Sequence, residues 1–384
     1  MPYEAPPWPQ YGTREEALVL QVIQSGHWWR NEGRAVERFE REFADRESTP
    51  YILGVTNGTH ALELALLAND LPAGAGVILP ALTFYATLSA VQRHGALPLL
   101  ADVDLDSWTL DVDATAAVAA RSGAVAVLPV HYGGVAADLA GLRGLGLTCI
   151  QDSAHGPAIR YAGQALAAPG EIVCWSFQHS KLLPGGEGGA VGFADEETYR
   201  DALYRHNCGR VPGVAGYDHI DVSSNFRMPE VTAALLTAQL ERFPTLARQR
   251  AAGAALLRAR LATIDGLVLQ RARDQDTESH YLIQARLVGP LAQATVRDAL
   301  VERLAQLGVP VARAYPPLYE LRAYAAPGTA PGPDAVREQC PNSALIGETG
   351  ISFHHRLLLS PPDDIARVGD LVDEVLAMLS LEAA

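Results

Sequence analysis

Six short apolar runs, separated by stretches of helical length, most constrain what this chain can fold into. They lie at residues 77–79, 97–100, 125–130, 147–151, 172–175 and 190–193. Each is nearly continuous in apolar residues rather than alternating. Strands of a parallel sheet covered on both faces have that pattern. Helix-like stretches fill the gaps at residues 59–67, 84–94, 113–120, 137–142 and 196–205. Strand–helix alternation of this kind predicts a doubly wound α/β domain.

The pattern changes downstream. Residues 229–261 form a long amphipathic stretch rich in Ala, Leu, Gln and Arg, read as a helix leaving the first domain. Beyond Gly266, residues 267–270 and 283–287 read as strands, and residues 294–307 and 365–379 as helices. The expectation is a large domain with an N-terminal arm over residues 1–245 and a smaller C-terminal α+β domain over residues 246–384. A length of 384 residues suits two such units. The Pro/Gly/Ala-rich residues 325–336 read as a surface loop.

Composition removes several classes of function. The chain carries 30 Lys+Arg against 44 Asp+Glu, a net charge of −14. No basic cluster stands against that excess, so neither nucleic acid nor an anionic membrane is an expected partner. No apolar run is long enough to span a bilayer. The opening MPYEAPPWPQYG has no basic or apolar leader region. Cys149, Cys174, Cys208 and Cys340 are far apart, without metal-ligand spacing. The expectations are a cytoplasmic protein and no metal site.

Four features carry chemistry. In Val55-Thr56-Asn57-Gly58-Thr59-His60, a Gly-Thr turn opens a helix, where free N–H groups bind an anion such as phosphate. Taken alone, Thr59 reads first as a helix cap. Asp152 follows an apolar run and reads either as a turn former or as a buried carboxylate held ionised by a cation, with His155 close by. Lys181 ends Ser176-Phe177-Gln178-His179-Ser180-Lys181 and precedes Pro184-Gly185-Gly186-Glu187-Gly188-Gly189. A lysine shielded from water between an apolar strand and a Gly-rich turn is a usable amine nucleophile and base. Phe84 follows another run. In open α/β sheets, ligands bind at the carboxyl ends of the strands, and Phe84, His131, Asp152 and the 176–181 segment each follow a different predicted strand there. A phosphate-binding helix start, an aromatic plate, a carboxylate and a lysine are together the parts needed for pyridoxal 5′-phosphate.

The motifs Asn57-Gly58-Thr59-His60-Ala61-Leu62, Pro80-Ala81-Leu82-Thr83-Phe84, Asp102-Val103-Asp104, Pro129-Val130-His131, Asp152-Ser153-Ala154-His155, Gly186-Glu187-Gly188-Gly189-Ala190 and Asn225-Phe226-Arg227-Met228 resemble the DegT/DnrJ/EryC1/StrS family of fold-type I pyridoxal-phosphate aminotransferases. The resemblance runs from about Trp8 to the C-terminus. It implies that Lys181 carries the cofactor, that Asp152 pairs with its pyridinium nitrogen and that His155 contacts its ring hydroxyl. Phe84 would stack on the ring. Gly58, Thr59 and Ser176 would hold the phosphate. Asn225 would reach the phosphate of the neighbouring subunit's cofactor, which implies a homodimer with shared sites. Trp8-Pro9-Gln10-Tyr11-Gly12, Trp28-Trp29 and His355-Arg356-Leu357 resemble the branch holding 3-amino-5-hydroxybenzoate synthases and scyllo-inosose aminotransferases. That branch implies amino transfer from glutamine or glutamate to a cyclic ketone, a keto-cyclitol or keto-sugar. An aromatising dehydratase using the same cofactor and lysine is the alternative.

Overall fold

The computed structural model describes residues 3–168, 170–211, 213, 218–324 and 332–383. Seven strands form the first sheet: β1 Tyr51–Val55, β2 Gly76–Pro80, β3 Leu97–Ala101, β4 Ala126–Val127, β5 Thr148–Asp152, β6 Ile172–Ser176 and β7 Gly189–Phe193. Their order is β1-β7-β6-β5-β4-β2-β3. Six point the same way; β7 alone is reversed, antiparallel to both β6 and β1. Helices lie in the connections from β1 to β5, whereas residues 153–171, between β5 and β6, carry none among the described residues although the two strands are parallel. Residues 177–188, between β6 and β7, also carry none, and this shorter connection returns the chain antiparallel beside β6.

The apolar runs at 77–79, 97–100, 147–151, 172–175 and 190–193 fall on β2, β3, β5, β6 and β7. The run at 125–130 is cut to Ala126–Val127, because Pro129 has no N–H to give the ladder. Residues 128–130 stay beside their neighbours through single contacts, Leu128 N–H to the Ile78 carbonyl at 2.7 Å and a bridge from Val130 to Asp152. β1 was not expected. Gly54 interrupts its apolar character, yet Ile52, Leu53 and Val55 are buried.

The helix Gly58–Ala68 is buried along Ala61, Leu62, Leu64, Ala65, Leu66 and Ala68, beneath the sheet. Burying each of the three leucine side chains contributes about 1.5–3 kcal/mol before ordering costs, and each alanine less. Tyr85–Arg93, Val112–Ser122 and Glu196–His206 follow the expected stretches closely. The stretch at 137–142 instead forms the short helix Leu139–Arg143, capped by Asp138, whose carboxylate accepts from Gly141 N–H at 3.2 Å.

Glu230–Leu261 is one helix. Its Ala233, Leu236, Leu240 and Phe243 pack with the first sheet's cluster, whereas Ala254, Leu257 and Leu261 belong to a second core. The division expected at 245/246 falls inside this helix. Four antiparallel strands form the second sheet: β8 Leu267–Leu269, β9 Leu282–Leu287, β10 Val311–Arg313 and β11 Gly350–His354, in the order β10-β11-β9-β8. The helices Ala294–Gln306 and Pro362–Ala383 cover it. Tyr3, from the N-terminal arm, joins this second core. Of the expected 325–336 loop, residues 325–331 lie outside the described residues, and residues 333–336 are helical within Pro333–Gln339, where Pro333 opens the helix.

Candidate active site

The carboxyl ends of β2, β5 and β6 converge on a cavity of about 750 Å³. Asn57, at the end of the turn after β1, starts the floor. Its side-chain oxygen accepts from His60 N–H at 2.8 Å and caps the helix Gly58–Ala68. The Gly58 and Thr59 N–H groups meet no acceptor among the described residues, so the helix end offers donors and a partial positive charge to the cavity.

Glycine is required here by close approach. A Cβ on Gly58 would stand 2.7 Å from Ser176 Cβ, and a Cβ on Gly189 would stand 2.5 Å from the Asn57 carbonyl oxygen. Ser176 pairs with Gly189 across β6 and β7. The two glycines therefore let the Ser176 hydroxyl and the helix start share one cradle.

Asp152 ends β5 and is 5% exposed. Its Oδ1 accepts from Ala154 N–H and its Oδ2 from the Thr87 hydroxyl, both at 3.0 Å. Burial pushes the carboxyl above its ordinary range, against the opposing pull of those two donors and of the Lys181 charge. A buried carboxylate so placed gains most from a further cation. His155 lies between two rings, 4.4 Å from Tyr281 and 5.7 Å from Tyr132, centroid to centroid. Its Nδ1 accepts from Gly133 N–H at 3.0 Å. Burial, helped by the Lys181 charge, holds the ring well below its ordinary pKa. Accepting at Nδ1 leaves the proton on Nε2, so His155 presents a neutral N–H donor.

Lys181 is half-buried in the 177–188 connection, where its N–H donates to the Gln178 carbonyl at 2.8 Å. Its Nζ sits 4.8 Å from the centroid of the Tyr281 ring. Phe84 stands at the mouth, 53% exposed, with its ring 5.7 Å from that of Tyr315.

The cavity thus brings together Gly58, Thr59, Phe84, Asp152, His155, Ser176 and Lys181. Asn225 is not among its lining. It is exposed beyond the sheet and accepts from Arg227 N–H at 3.2 Å. That position is compatible with the expectation that it serves a neighbouring subunit; His131, expected with the ligand-binding strand ends, is a correction. It is fully buried away from the cavity, with Nδ1 accepting from Ala137 N–H and Nε2 donating to Gln151. Three residues escaped sequence reasoning. Thr87 lies one helical turn past Phe84, a spacing that faces it back into the fold. Tyr281 and Tyr315 arrive from the second sheet's surroundings, and no local pattern marks them. Among the described residues, no group of three or more His, Cys, Asp or Glu could hold a metal.

A helix start with free N–H donors beside a hydroxyl, an aromatic ring at the mouth, a buried carboxylate and a half-buried lysine are a donor set that fits a phosphorylated pyridine aldehyde. With the mostly parallel sheet and the smaller antiparallel one, they define a fold-type I pyridoxal-phosphate enzyme. The chain belongs to the DegT/DnrJ/EryC1/StrS aminotransferase family, whose model matches residues 9–373. It is 37% identical to 3-amino-5-hydroxybenzoate synthase of Amycolatopsis mediterranei, over 97% of this chain and 98% of that protein. It is 32% identical to L-glutamine:2-deoxy-scyllo-inosose aminotransferase of Streptomyces fradiae, over 97% of this chain and 94% of that protein. A crystal structure of 3-amino-5-hydroxybenzoic acid synthase superposes with a TM-score of 0.95 at 36% identity, covering 98% of this chain and all of that one. The chain is therefore an enzyme that transfers amino groups, and pyridoxal 5′-phosphate is its cofactor.

Proposed function

We propose that the enzyme moves an amino group from glutamine or glutamate to a cyclic ketone, a keto-cyclitol or keto-sugar. The observation that carries the reading is the position of Lys181, shielded against Tyr281 and sharing one cavity with the Asp152 carboxylate and the neutral His155 ring. When bound, the cofactor supplies an electron sink and holds the amino group between two half reactions. Every other task falls to this chain. Gly58 and Thr59 N–H groups, with the Thr59 and Ser176 hydroxyls, bind the phosphate. Asp152 keeps the pyridine nitrogen protonated. His155 donates Nε2–H to the ring oxygen, and Phe84 covers one face. Lys181 Nζ takes a proton from the donor's carbon in the first half reaction and, in the second, delivers one to the acceptor's carbon, acting as general base and acid.

Names of the relatives support the acceptor class, since one is a glutamine-dependent inosose aminotransferase. The 37% relative favours a second reading, aromatising dehydration on the same lysine. Holoenzyme incubated with glutamine alone separates the two. Amino transfer converts the bound cofactor to its amine form, with loss of the yellow absorbance, and an eliminating enzyme leaves it unchanged. Borohydride reduction followed by peptide mapping must place the cofactor on Lys181; a label on another residue overturns the site.

The same reading includes a homodimer. Asn225 lies on a surface that also exposes Trp28, Trp29, Ile220 and Val222, and Arg227 covers the Trp29 ring at 5.8 Å. A second copy seated there would cover these apolar side chains and bring Asn225 to its partner's phosphate. All four cysteines are unpaired, which suits the reducing cytoplasm as the place of work.

A further inference from the structure

Trp8, from the N-terminal arm, and His355, just past β11, line no part of the cofactor cavity. They meet edge to face, with ring centroids 4.6 Å apart, against the turn that carries Lys181. Trp8 Nε1 donates to the His179 carbonyl at 3.1 Å. His355 Nε2 donates to the next carbonyl, that of Ser180, at 3.0 Å. The Ser180 carbonyl shares a peptide group with the nitrogen of Lys181 itself. The two peptide units before the lysine are thus tied from outside, one by the arm and one from the edge of the second sheet.

The 177–188 connection forms neither helix nor strand, so no ladder fixes where Lys181 stands. Bonds inside the connection set its shape. His179 N–H donates to the Gly186 carbonyl, Lys181 N–H to the Gln178 carbonyl and Ser180 N–H to Gln178 Oε1, each at 2.8 Å. These bonds move with the connection and do not hold it in place. Past the lysine, Leu182 and Leu183 are buried in the first sheet's cluster and anchor that side. Before the lysine, packing offers less, because His179 is exposed and Ser180 half-buried. The Ser180 hydroxyl makes only a 3.4 Å contact with that of Tyr281.

Both outside donors are themselves held. His355 is fully buried, with its ring 5.6 Å from that of Tyr281. A carbonyl oxygen only accepts, so Nε2 of His355 carries the proton. Its Nδ1 has no hydrogen-bond partner among the described residues. Burial, helped by the Arg250 charge, keeps the ring well below its ordinary pKa and so neutral. Arg250 is 1% exposed, and its guanidinium lies 4.9 Å from the Trp8 ring and 6.0 Å from that of Phe243. None of its three guanidinium nitrogens has a hydrogen-bond partner among the described residues, so packing on these rings is what braces the indole.

A lysine amine sits at the end of a flexible four-carbon stem. Where it must meet one carbon within hydrogen-bond reach, a misplacement of about 1 Å can cost about a hundredfold in rate. We propose that Trp8 and His355 are positioning residues for Lys181, a clamp of two N–H donors on successive carbonyls through which the N-terminal arm and the second sheet aim the reacting amine. The proposal rests on the reading of Lys181 as the residue that carries the cofactor and moves the proton.

Trp8→Phe and His355→Phe keep the rings and remove the donors. His355→Gln keeps a donor, since its amide nitrogen reaches the place of Nε2. The holoenzyme is mixed with glutamine in a single turnover, and the loss of yellow absorbance is followed. The rate is expected to fall about tenfold in each Phe variant and about a hundredfold in the double variant, with the half-saturating glutamine concentration unchanged. His355→Gln restores the rate to within about threefold of the wild type. Circular dichroism of the visible band reports how firmly the cofactor is held in one asymmetric setting, and it weakens in the double variant. An unchanged rate and unchanged dichroism in the double variant overturn the clamp. So does a His355→Gln enzyme as slow as His355→Phe, which makes the ring rather than the donated proton responsible. A rate loss wholly matched by lost cofactor or by a lowered melting temperature overturns it too, as a structural effect. If His355→Phe fails to fold, Trp8→Phe carries the same test from its half-buried place in the arm. A wild type that glutamine leaves yellow sinks the aminotransferase reading, and the dichroism, which needs no amino donor, still decides the clamp.

Discussion

The Thr87 hydroxyl donates to Oδ2 of Asp152 at 3.0 Å, with both residues buried. Thr87 belongs to the helix after β2 and Asp152 to the end of β5, so the bond spans two crossover units of the sheet. It also links Asp152 to Thr83, whose hydroxyl is 3.2 Å from that of Thr87. A carboxylate held from two sides, by Thr87 and by Ala154 N–H, is fixed in direction before any ligand arrives.

Asp152→Asn removes the charge and keeps the shape, since the Thr87 hydroxyl can turn to accept from the new amide. The variant is expected to fold and retain cofactor while kcat falls about a hundredfold or more, as expected for loss of a preorganised charge. Thr87→Val removes one bond to a charged group, worth about 1.5–3 kcal/mol, and should cost about 10- to 100-fold in kcat/KM. Steady-state kinetics with absorbance of the bound cofactor decide both. Normal turnover in Asp152→Asn would take the carboxylate out of the mechanism.

Gly58→Ala drives a methyl group into Ser176, 2.7 Å from its Cβ. The helix start or β6 must shift, which spoils the cradle without touching the core. The expected result is a folded protein whose cofactor Kd rises about tenfold or more, for the loss of one or more charge-assisted bonds. Titration of the apoprotein followed by tryptophan fluorescence measures it. Unchanged affinity would mean that the phosphate sits elsewhere.

Buried histidines set an acid limit. Burial lowers His131 to about 4 and His206 to about 3, against an ordinary 6.5. The unfolded chain then takes up protons before the folded one does. Stability is fully present above pH 6.5 and is lost as pH falls towards those lower values. Glu40, Glu47 and Asp152, raised by burial, act with the opposite sign, so the informative quantity is a difference. His206 Nε2 pairs with the Gly54 carbonyl at 2.9 Å, and a glutamine there can donate the same bond. The melting temperature of His206→Gln should therefore drop less between pH 6.5 and 4 than that of the wild type. Parallel curves would show that His206 does not titrate on unfolding.

Hybrid dimers test the shared site. Lys181→Ala is expected to be inactive, and in the proposed dimer Asn225→Asp would set a negative charge against the partner's phosphate. Mixed under subunit exchange, they give dimers with one doubly damaged site and one intact site, so activity should return. No rescue despite proven exchange, or a fully active monomer in sedimentation, contradicts the assignment of Asn225.

Much of this protein was written locally. Strand ends followed by Asp152 or Ser176, a Gly-Thr helix start and a lysine before a glycine-rich turn are backbone chemistry spanning a few residues, and each led to the same cavity. The alternation of apolar runs and helices determined the parallel sheet, and Pro129 cut β4 short by its own lack of an N–H. Tertiary structure alone decided the rest. The reversal of β7 depends on how residues 177–188 return beside β6. His131 and His155 each follow a strand end, yet packing sent one into the interior and the other to the cavity wall. Tyr281 and Tyr315 reach Lys181 and Phe84 only because the second sheet docks there. Short-range patterns record backbone preference and burial. Which distant side chains meet is set by how two separately formed cores bury their facing surfaces, and that information is spread over the whole chain.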